Sequence, residues 1–314
     1  MMKKKILVGI IVFLIAVVCI VSYVVVKKAT TEGIWLGDYK YKYDNSEEKR
    51  IIILDYRGTD SYVEFPTKLF MLDVAYVESN VFYRNNNIEK MFIPKEVDYE
   101  YIIYQCDSLK EVVFEDGTEE VNVIIKECEN LDKIYIPETV TSFPEGFCYG
   151  CPKLEDIYIS GNVLTVSGDA FFATGLEKKC LDDKYYVVGD GILLFYNGDY
   201  GEIIIPNGVK KLNQETLFFN RKDTSYLEAI YFPETITDVG NMEIYEDVTA
   251  YFGAEDIDGV NPEKIEGTIV APAGSYMEQY CKENNVDFRV MTEEEEAIWR
   301  EKTEAAASEI TYQE

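Results

Sequence analysis

The chain has no histidine, only two tryptophans and nine prolines, and its 30 basic residues are outnumbered by 58 acidic ones. Without histidine the commonest general base and the commonest zinc ligand are missing. No Ser-His or Cys-His nucleophile pair can therefore be assembled. A formal charge of −28 argues against nucleic acid as a partner, because phosphate contacts need clustered Lys and Arg. What is present is ample apolar material: 47% of the 314 residues are hydrophobic. That is enough chain to bury the core of one elongated unit or two compact ones, and it is not the composition of a disordered acidic chain. Binding, scaffolding or chemistry by carboxylates alone remain open.

Charge is unevenly spread at the N-terminus. Residues 6–26 carry no charge, Lys3, Lys4 and Lys5 precede them, and Lys27 and Lys28 follow. Such a stretch is long enough to cross a bilayer core of about 30 Å as a helix. The lysine bias favours a cytoplasmic N-terminus, leaving the acidic bulk outside. A cleaved signal peptide is the rival reading, but the apolar region is long for one and no A-x-A-like site follows it. The expectation is an uncleaved single-pass anchor over residues 1–28, then a juxtamembrane segment or N-terminal cap over 29–49. Without the five flanking lysines, 25 basic residues face 58 acidic ones, so the exterior carries −33.

The rest of the chain repeats. Leu109, Leu131, Leu154 and Leu176 are 22, 23 and 22 residues apart, and Cys106, Cys128 and Cys151 keep the same step. Short alternating segments recur between them: Met91-Phe92-Ile93-Pro94, Val112-Val113-Phe114, Ile134-Tyr135-Ile136-Pro137 and Ile157-Tyr158-Ile159. Further copies are Val63-Glu64-Phe65-Pro66, Ile203-Ile204-Ile205-Pro206 and Ile230-Tyr231-Phe232-Pro233. Each copy reads as a short strand with period-2 alternation, and the proline that often follows has no N–H to give to a ladder. One such unit cannot bury its apolar side alone, whereas stacked units build a continuous core. Seven strands at about 4.8 Å each make a rod of about 30 Å.

These residues resemble the BspA-type leucine-rich repeat family. The resemblance rests on the recurring L-x-x-I-x-I-P-x-x-V core, on the cysteine closing a repeat as in Phe147-Cys148-Tyr149-Gly150-Cys151, and on the entry segment from Ile51 to Asp60. It also rests on Thr268 to Ser275, similar to the family's closing strand and turn before Tyr276. It implies a β-rich leucine-rich-repeat solenoid of stacked short parallel strands, turns and short helical segments over residues 50–290. Two departures stand out. Tyr99-Glu100-Tyr101 replaces small residues, and Leu181 to Tyr200, with Gly189-Asp190-Gly191, reads as a hairpin interrupting the stack.

Alternation assigns the faces. With Ile93, Phe114, Ile136, Ile159, Ile205 and Phe232 inward, their predecessors Phe92, Val113, Tyr135, Tyr158, Ile204 and Tyr231 point outward. Two residues further back, Lys90, Glu111, Lys133, Asp156 and Glu202 point outward as well. This column is either a recognition surface, since aromatics supply large rigid contact area, or a cross-strand ladder that only stabilises the sheet. Cys148-x-x-Cys151 has redox-dithiol spacing, yet Cys151 belongs to the repeating column, which favours small buried packing residues. No second CxxC completes a zinc site. Asp182, Asp183, Asp190 and Asp199 cluster in the insertion without the order of a calcium loop. Residues 291–314 read as an acidic helical or disordered tail with Thr292 as N-cap, a partner-binding role for Trp299 being the alternative.

The functional expectation is a non-catalytic, membrane-anchored surface protein with a monomeric ectodomain, needing no cofactor or metal. Its partners would be a host, matrix or surface protein or a glycan. The family resemblance implies adhesion for some members. The alternatives are a structural cell-envelope scaffold and a carboxylate-dependent glycan hydrolase.

Overall fold

The computed structural model describes residues 17–18, 21–24, 27–44, 50–69, 71–97, 99–199, 201–213, 226–240, 242–253 and 256–313. The expected membrane span, 6–26, falls largely outside these residues; its described positions, 17–18 and 21–24, are helical. Among the described residues no helix is long and apolar enough to cross a membrane.

The N-terminal end is an antiparallel meander of β1 (Ile34–Leu36), β2 (Tyr39–Tyr43) and β3 (Ile51–Tyr56). β4 (Tyr62–Glu64) leaves it to begin the stack, and β5 (Lys68–Leu69) and β6 (Leu72–Val77) return to it, β6 pairing parallel with β3. The segment after the lysine pair therefore enters a cap sheet directly.

The stack follows the repeat step. β4, β7 (Lys90–Ile93), β9 (Glu111–Phe114) and β11 (Lys133–Tyr135) form a parallel sheet with Tyr62, Lys90, Glu111 and Lys133 in one register row. On the other side of each coil, β8 (Tyr101–Tyr104) pairs parallel with β10 (Val123–Lys126), and β12 (Ser142–Phe143) with β13 (Thr165–Val166). The predicted inward residues Ile93, Phe114, Ile136, Ile159, Ile205 and Phe232 are all buried. The irregular Tyr99–Tyr101 copy has its own logic: Tyr101 is buried, and its hydroxyl accepts the Phe82 N–H at 3.0 Å.

Five successive coils of the first half turn at a left-handed residue. Arg84, Gln105, Glu127, Gly150 and Ala173 have φ of 53, 55, 51, 72 and 54° and recur every 21 to 23 residues. The bend aims the N–H along the stack, so Arg84, Gln105, Glu127 and Gly150 donate to the carbonyls of Tyr104, Lys126, Tyr149 and Phe172 at 2.9–3.1 Å. Side chains reinforce three of them. Arg84 Nε donates to Gln105 Oε1 and Gln105 Nε2 to Glu127 Oε2, each at 2.7 Å.

After α1 (Gly175–Lys179), N-capped by Thr174, the expected hairpin appears as β14 (Tyr185–Val188) and β15 (Ile192–Tyr196), antiparallel. Gly189 and Gly191, with φ of 54 and 80°, make its turn. The hairpin is no protrusion. Tyr186, Val188, Ile192 and Leu194 pack into the core behind it, whereas Tyr185, Val187, Leu193 and Tyr196 pack into the core ahead. Such a two-faced wall needs apolar residues at nearly every position. Beyond it, β16 (Glu202–Ile204), β18 (Ala229–Tyr231), β19 (Thr249–Tyr251), β20 (Thr268–Ala271) and β21 (Phe288–Val290) form a second parallel sheet. There Phe232 and Phe252 stack at 4.3 Å, close to the strand spacing. β17 (Lys211–Leu212) pairs with β15. The helix α2 (Tyr276–Asn284), N-capped by Ser275, buries Met277 and Cys281 against the end of the stack.

The left-handed column yields a test. Ala173 has no ladder side chain, and a non-glycine in this region costs about 1–2 kcal/mol, against about 0.5–1 kcal/mol for glycine's extra entropy. Ala173→Gly should raise the denaturation midpoint, by about 0.5–1 kcal/mol of stability. Gln105→Gly, which also removes two ladder bonds, should show no gain.

Candidate functional site

The outward face of the first sheet is open. Phe92 and Val113 are half-buried in one register row with Tyr135, which is 52% exposed. Tyr158, on the following coil, is 56% exposed. The Tyr135 hydroxyl donates to Asp116 Oδ1 at 2.9 Å, and this bond to a carboxylate pushes the Tyr135 pKa up. Below the row, Lys90 and Glu111 pair across the strands at 2.6 Å, Lys133 is exposed, and Asp156 pairs with Lys179 at 2.6 Å. Exposed pairs of this kind contribute about 0–1 kcal/mol each. They fix side-chain positions more than they stabilise the fold.

The second half of the face is covered, which corrects the placement of Tyr231, Ile204 and the C-terminal residues. Tyr231 is 7% exposed and Ile204 half-buried, because α3 (Glu293–Ala306) lies across them. Trp299 is 1% exposed, and its Nε1 donates to the Phe232 carbonyl at 2.8 Å. An added Cβ at Gly253 would collide with this ring, so glycine is needed there for close approach. Lys302 Nζ lies 4.2 Å from the centre of the Tyr231 ring and 2.5 Å from Glu202, so Glu202 too is engaged from within the chain. The buried face of α3 is Trp299, Thr303 and Ala306. One large ring flanked by small residues shows no apolar stripe in sequence, and the Thr303 hydroxyl is satisfied by the Trp299 carbonyl at 3.1 Å. The helix start matches expectation: Thr292 and Glu295 form a capping box. Arg289 holds Glu295 in two bonds of 2.7 and 2.8 Å and, with the Thr292 backbone, pulls its carboxyl down to about 2.

The chain then turns back to the seam between the sheets. β22 (Ile310–Tyr312) adds parallel to β14, and Thr311 donates to Asp183 at 2.8 Å. The Gln313 side chain stands in for a peptide unit, its Oε1 accepting the Ile159 N–H at 2.8 Å and its Nε2 donating to the Ile157 carbonyl. Because the first ladder stops at β11, a cavity of about 600 Å³ opens at this seam, lined by Ile134, Asp156, Tyr158, Lys179, Tyr186 and Tyr312 among others. Tyr312 and Lys179 were not singled out in the sequence; nothing local marks them.

The cysteines sit inside the stack. Cys106, Cys128, Cys148, Cys151, Cys180 and Cys281 are free thiols and buried. Cys106 Sγ donates to the Phe82 carbonyl at 2.8 Å, and burial pushes Cys151 up to about 12 and Cys180 and Cys281 to about 11. Thiols held this high are not thiolate nucleophiles. In the insertion, Asp190 pairs with Lys210 at 2.6 Å and Asp183 is taken by Thr311. Among the described residues no group of three or more Cys, Asp or Glu is placed to hold a metal ion.

Parallel coils stacked in register, with a left-handed bend and a buried cysteine recurring along the stack, define a leucine-rich-repeat solenoid. Residues 75–193 match, in six copies, the family described as BspA type Leucine rich repeat region, and this stretch is a BspA-type leucine-rich repeat array. None of the curated proteins compared matches the chain. Among solved structures it is similar to a leucine rich cell surface protein from Faecalibacterium prausnitzii A2-165, with 15% identity, 85% of this chain and 97% of that one covered, and a TM-score of 0.34. It is also similar to the pneumococcal vaccine antigen PcpA (12% identity, 84% and 100% covered, TM-score 0.37). A leucine-rich repeat protein from Bacteroides ovatus gives 15% identity, coverage of 76% and 70%, and a TM-score of 0.28.

Two predictions follow from the covered half and the thiols. Glu295 is depressed in the folded chain, so its contribution to α3 docking is complete above its ordinary value of 4.5 and is lost as pH falls towards about 2. In a Trp35→Phe background, where Trp299 is the sole tryptophan, Glu295→Gln should weaken docking at neutral pH. The difference from the parent should close through that acid window, read by Trp299 emission. Separately, iodoacetamide should leave the six buried cysteines unmodified in the native chain and label all of them in denaturant; labelling of Cys148 or Cys151 under native conditions would reopen the redox reading.

Proposed function

We propose that this chain is a non-catalytic, membrane-anchored, extracytoplasmic recognition protein that binds a protein or glycan partner through the N-terminal half of its sheet face. The observation that carries this reading is the contrast between two equivalent rows. Tyr231 is buried under the chain's own helix, which also packs on the half-buried Ile204, whereas Tyr135 and Tyr158 are more than half exposed beside the half-buried Phe92 and Val113. Exposed aromatics on a rigid sheet present contact area at low entropic cost. Supporting the surface location are the BspA-type repeat, the 21 uncharged residues flanked by lysines, and the helical residues 27–31 that run into the cap with Ala29 buried. An acidic exterior of −33 also suits a protein standing off an anionic envelope.

The test is a pull-down with the full chain in detergent against surface and matrix proteins and glycans. Phe92→Ser and Tyr135→Ser should each weaken the captured interaction by about tenfold, the equivalent of about 1.4 kcal/mol of lost aromatic contact, with the melting curve unchanged. Equal capture by parent and variants would count against this face. Retention of the chain in the membrane fraction after carbonate washing, and its release on deletion of residues 6–26, checks the anchor.

A further inference from the structure

The seam cavity combines two exposed tyrosines with an apolar floor and a few charged groups. Its volume of about 600 Å³ falls within the range of about 300–1,000 Å³ typical of small-ligand sites. Tyr158 and Tyr312 line it from opposite ends of the sequence, 56% and 54% exposed, over an apolar floor that includes Ile134, Ile157 and the buried Tyr186. The polar groups at its rim are largely compensated. Asp156 is paired with Lys179 at 2.6 Å and Asp183 accepts from Thr311 at 2.8 Å, which leaves Glu155 as the further carboxylate.

We infer that this cavity binds a neutral oligosaccharide. The inference rests on the reading of the open face as a recognition surface, and it names the ligand class and the place. A pyranose ring has a C–H face that lies on a phenol ring and a rim of hydroxyls that both donate and accept. Tyr158 and Tyr312 offer the rings, the carboxylates of Glu155, Asp156 and Asp183 accept hydroxyl protons, and the Lys179 ammonium donates to hydroxyl or ring oxygens. An anionic sugar meets Glu155 and the field of the acidic chain.

The experiment is calorimetric titration of the full chain in detergent micelles with maltotetraose, cellotetraose, chitotetraose and mannotetraose, and with a hyaluronan tetrasaccharide and tetralysine as charged comparators. Saturable binding of at least one neutral tetrasaccharide is expected, weakened about tenfold by Tyr158→Ala and by Tyr312→Ala, the loss of one aromatic platform. Asp156→Asn, on the exposed rim, should weaken it without touching the strand that carries Tyr312. No binding of any neutral sugar, binding of hyaluronan or tetralysine alone, or affinity indifferent to both tyrosine variants overturns the proposal. The Phe92 and Tyr135 variants report on the broader face independently, so a lost protein partner there alongside a silent cavity would sink only the sugar site.

Discussion

The rest of this structure depends on the backbone hydrogen bonds that run from one coil to the next. A parallel ladder admits little freedom: each coil must place its strand, its bend and its return at the same positions as its neighbours, or the bonds fail in series. The left-handed residue is where that demand is most visible. Its N–H points along the stack only because φ is positive, and Arg84, Gln105 and Glu127 accept that conformation with the help of a side-chain ladder. Burial then follows from alignment, since equivalent apolar residues of successive coils fall on top of one another and aromatic pairs such as Phe232 and Phe252 meet at strand spacing.

This explains which features could be read from the sequence. Inward positions keep one chemical character from coil to coil, so Ile93, Phe114, Ile136 and Ile159 announced the core, and the 22-residue step announced the stack. The left-handed column does not keep its character. Arginine, glutamine, glutamate, glycine and alanine share a backbone angle and nothing else, so no residue pattern marks it. The docking of the last helix was hidden for a related reason. Its buried face is one tryptophan with a threonine and an alanine, and small residues that permit close approach look polar or neutral in a linear reading. Strand pairing between Ile310–Tyr312 and Tyr185–Val187 links positions far apart in the chain and leaves no local signature.

The two halves of the sheet face therefore have different fates although they are built from the same repeat. In the N-terminal half the aromatic row stays open and its charges are fixed by neighbours across the ladder. In the C-terminal half the row becomes interior, and Lys302 and Trp299 take the place a partner would occupy. Among the described residues the exposed part of this row thus lies at one end of the stack, beside the seam where the ladder stops.

The Gln313 side chain, bonded like a peptide unit to Ile157 and Ile159, has a consequence for how the molecule bears load. A repeat array held only by nearest neighbours frays from its free end, one coil at a time. Here Gln313 is tied back to a coil 154 to 156 positions earlier, so the segment between them is a closed loop. The loop costs closure entropy that grows only slowly with its length. In return, a pull transmitted from the N-terminal end meets the open coils first, and the clamped segment yields as a unit. Ribosomal synthesis imposes an order as well: β22 can join β14 only after all five strands of the second sheet have been made.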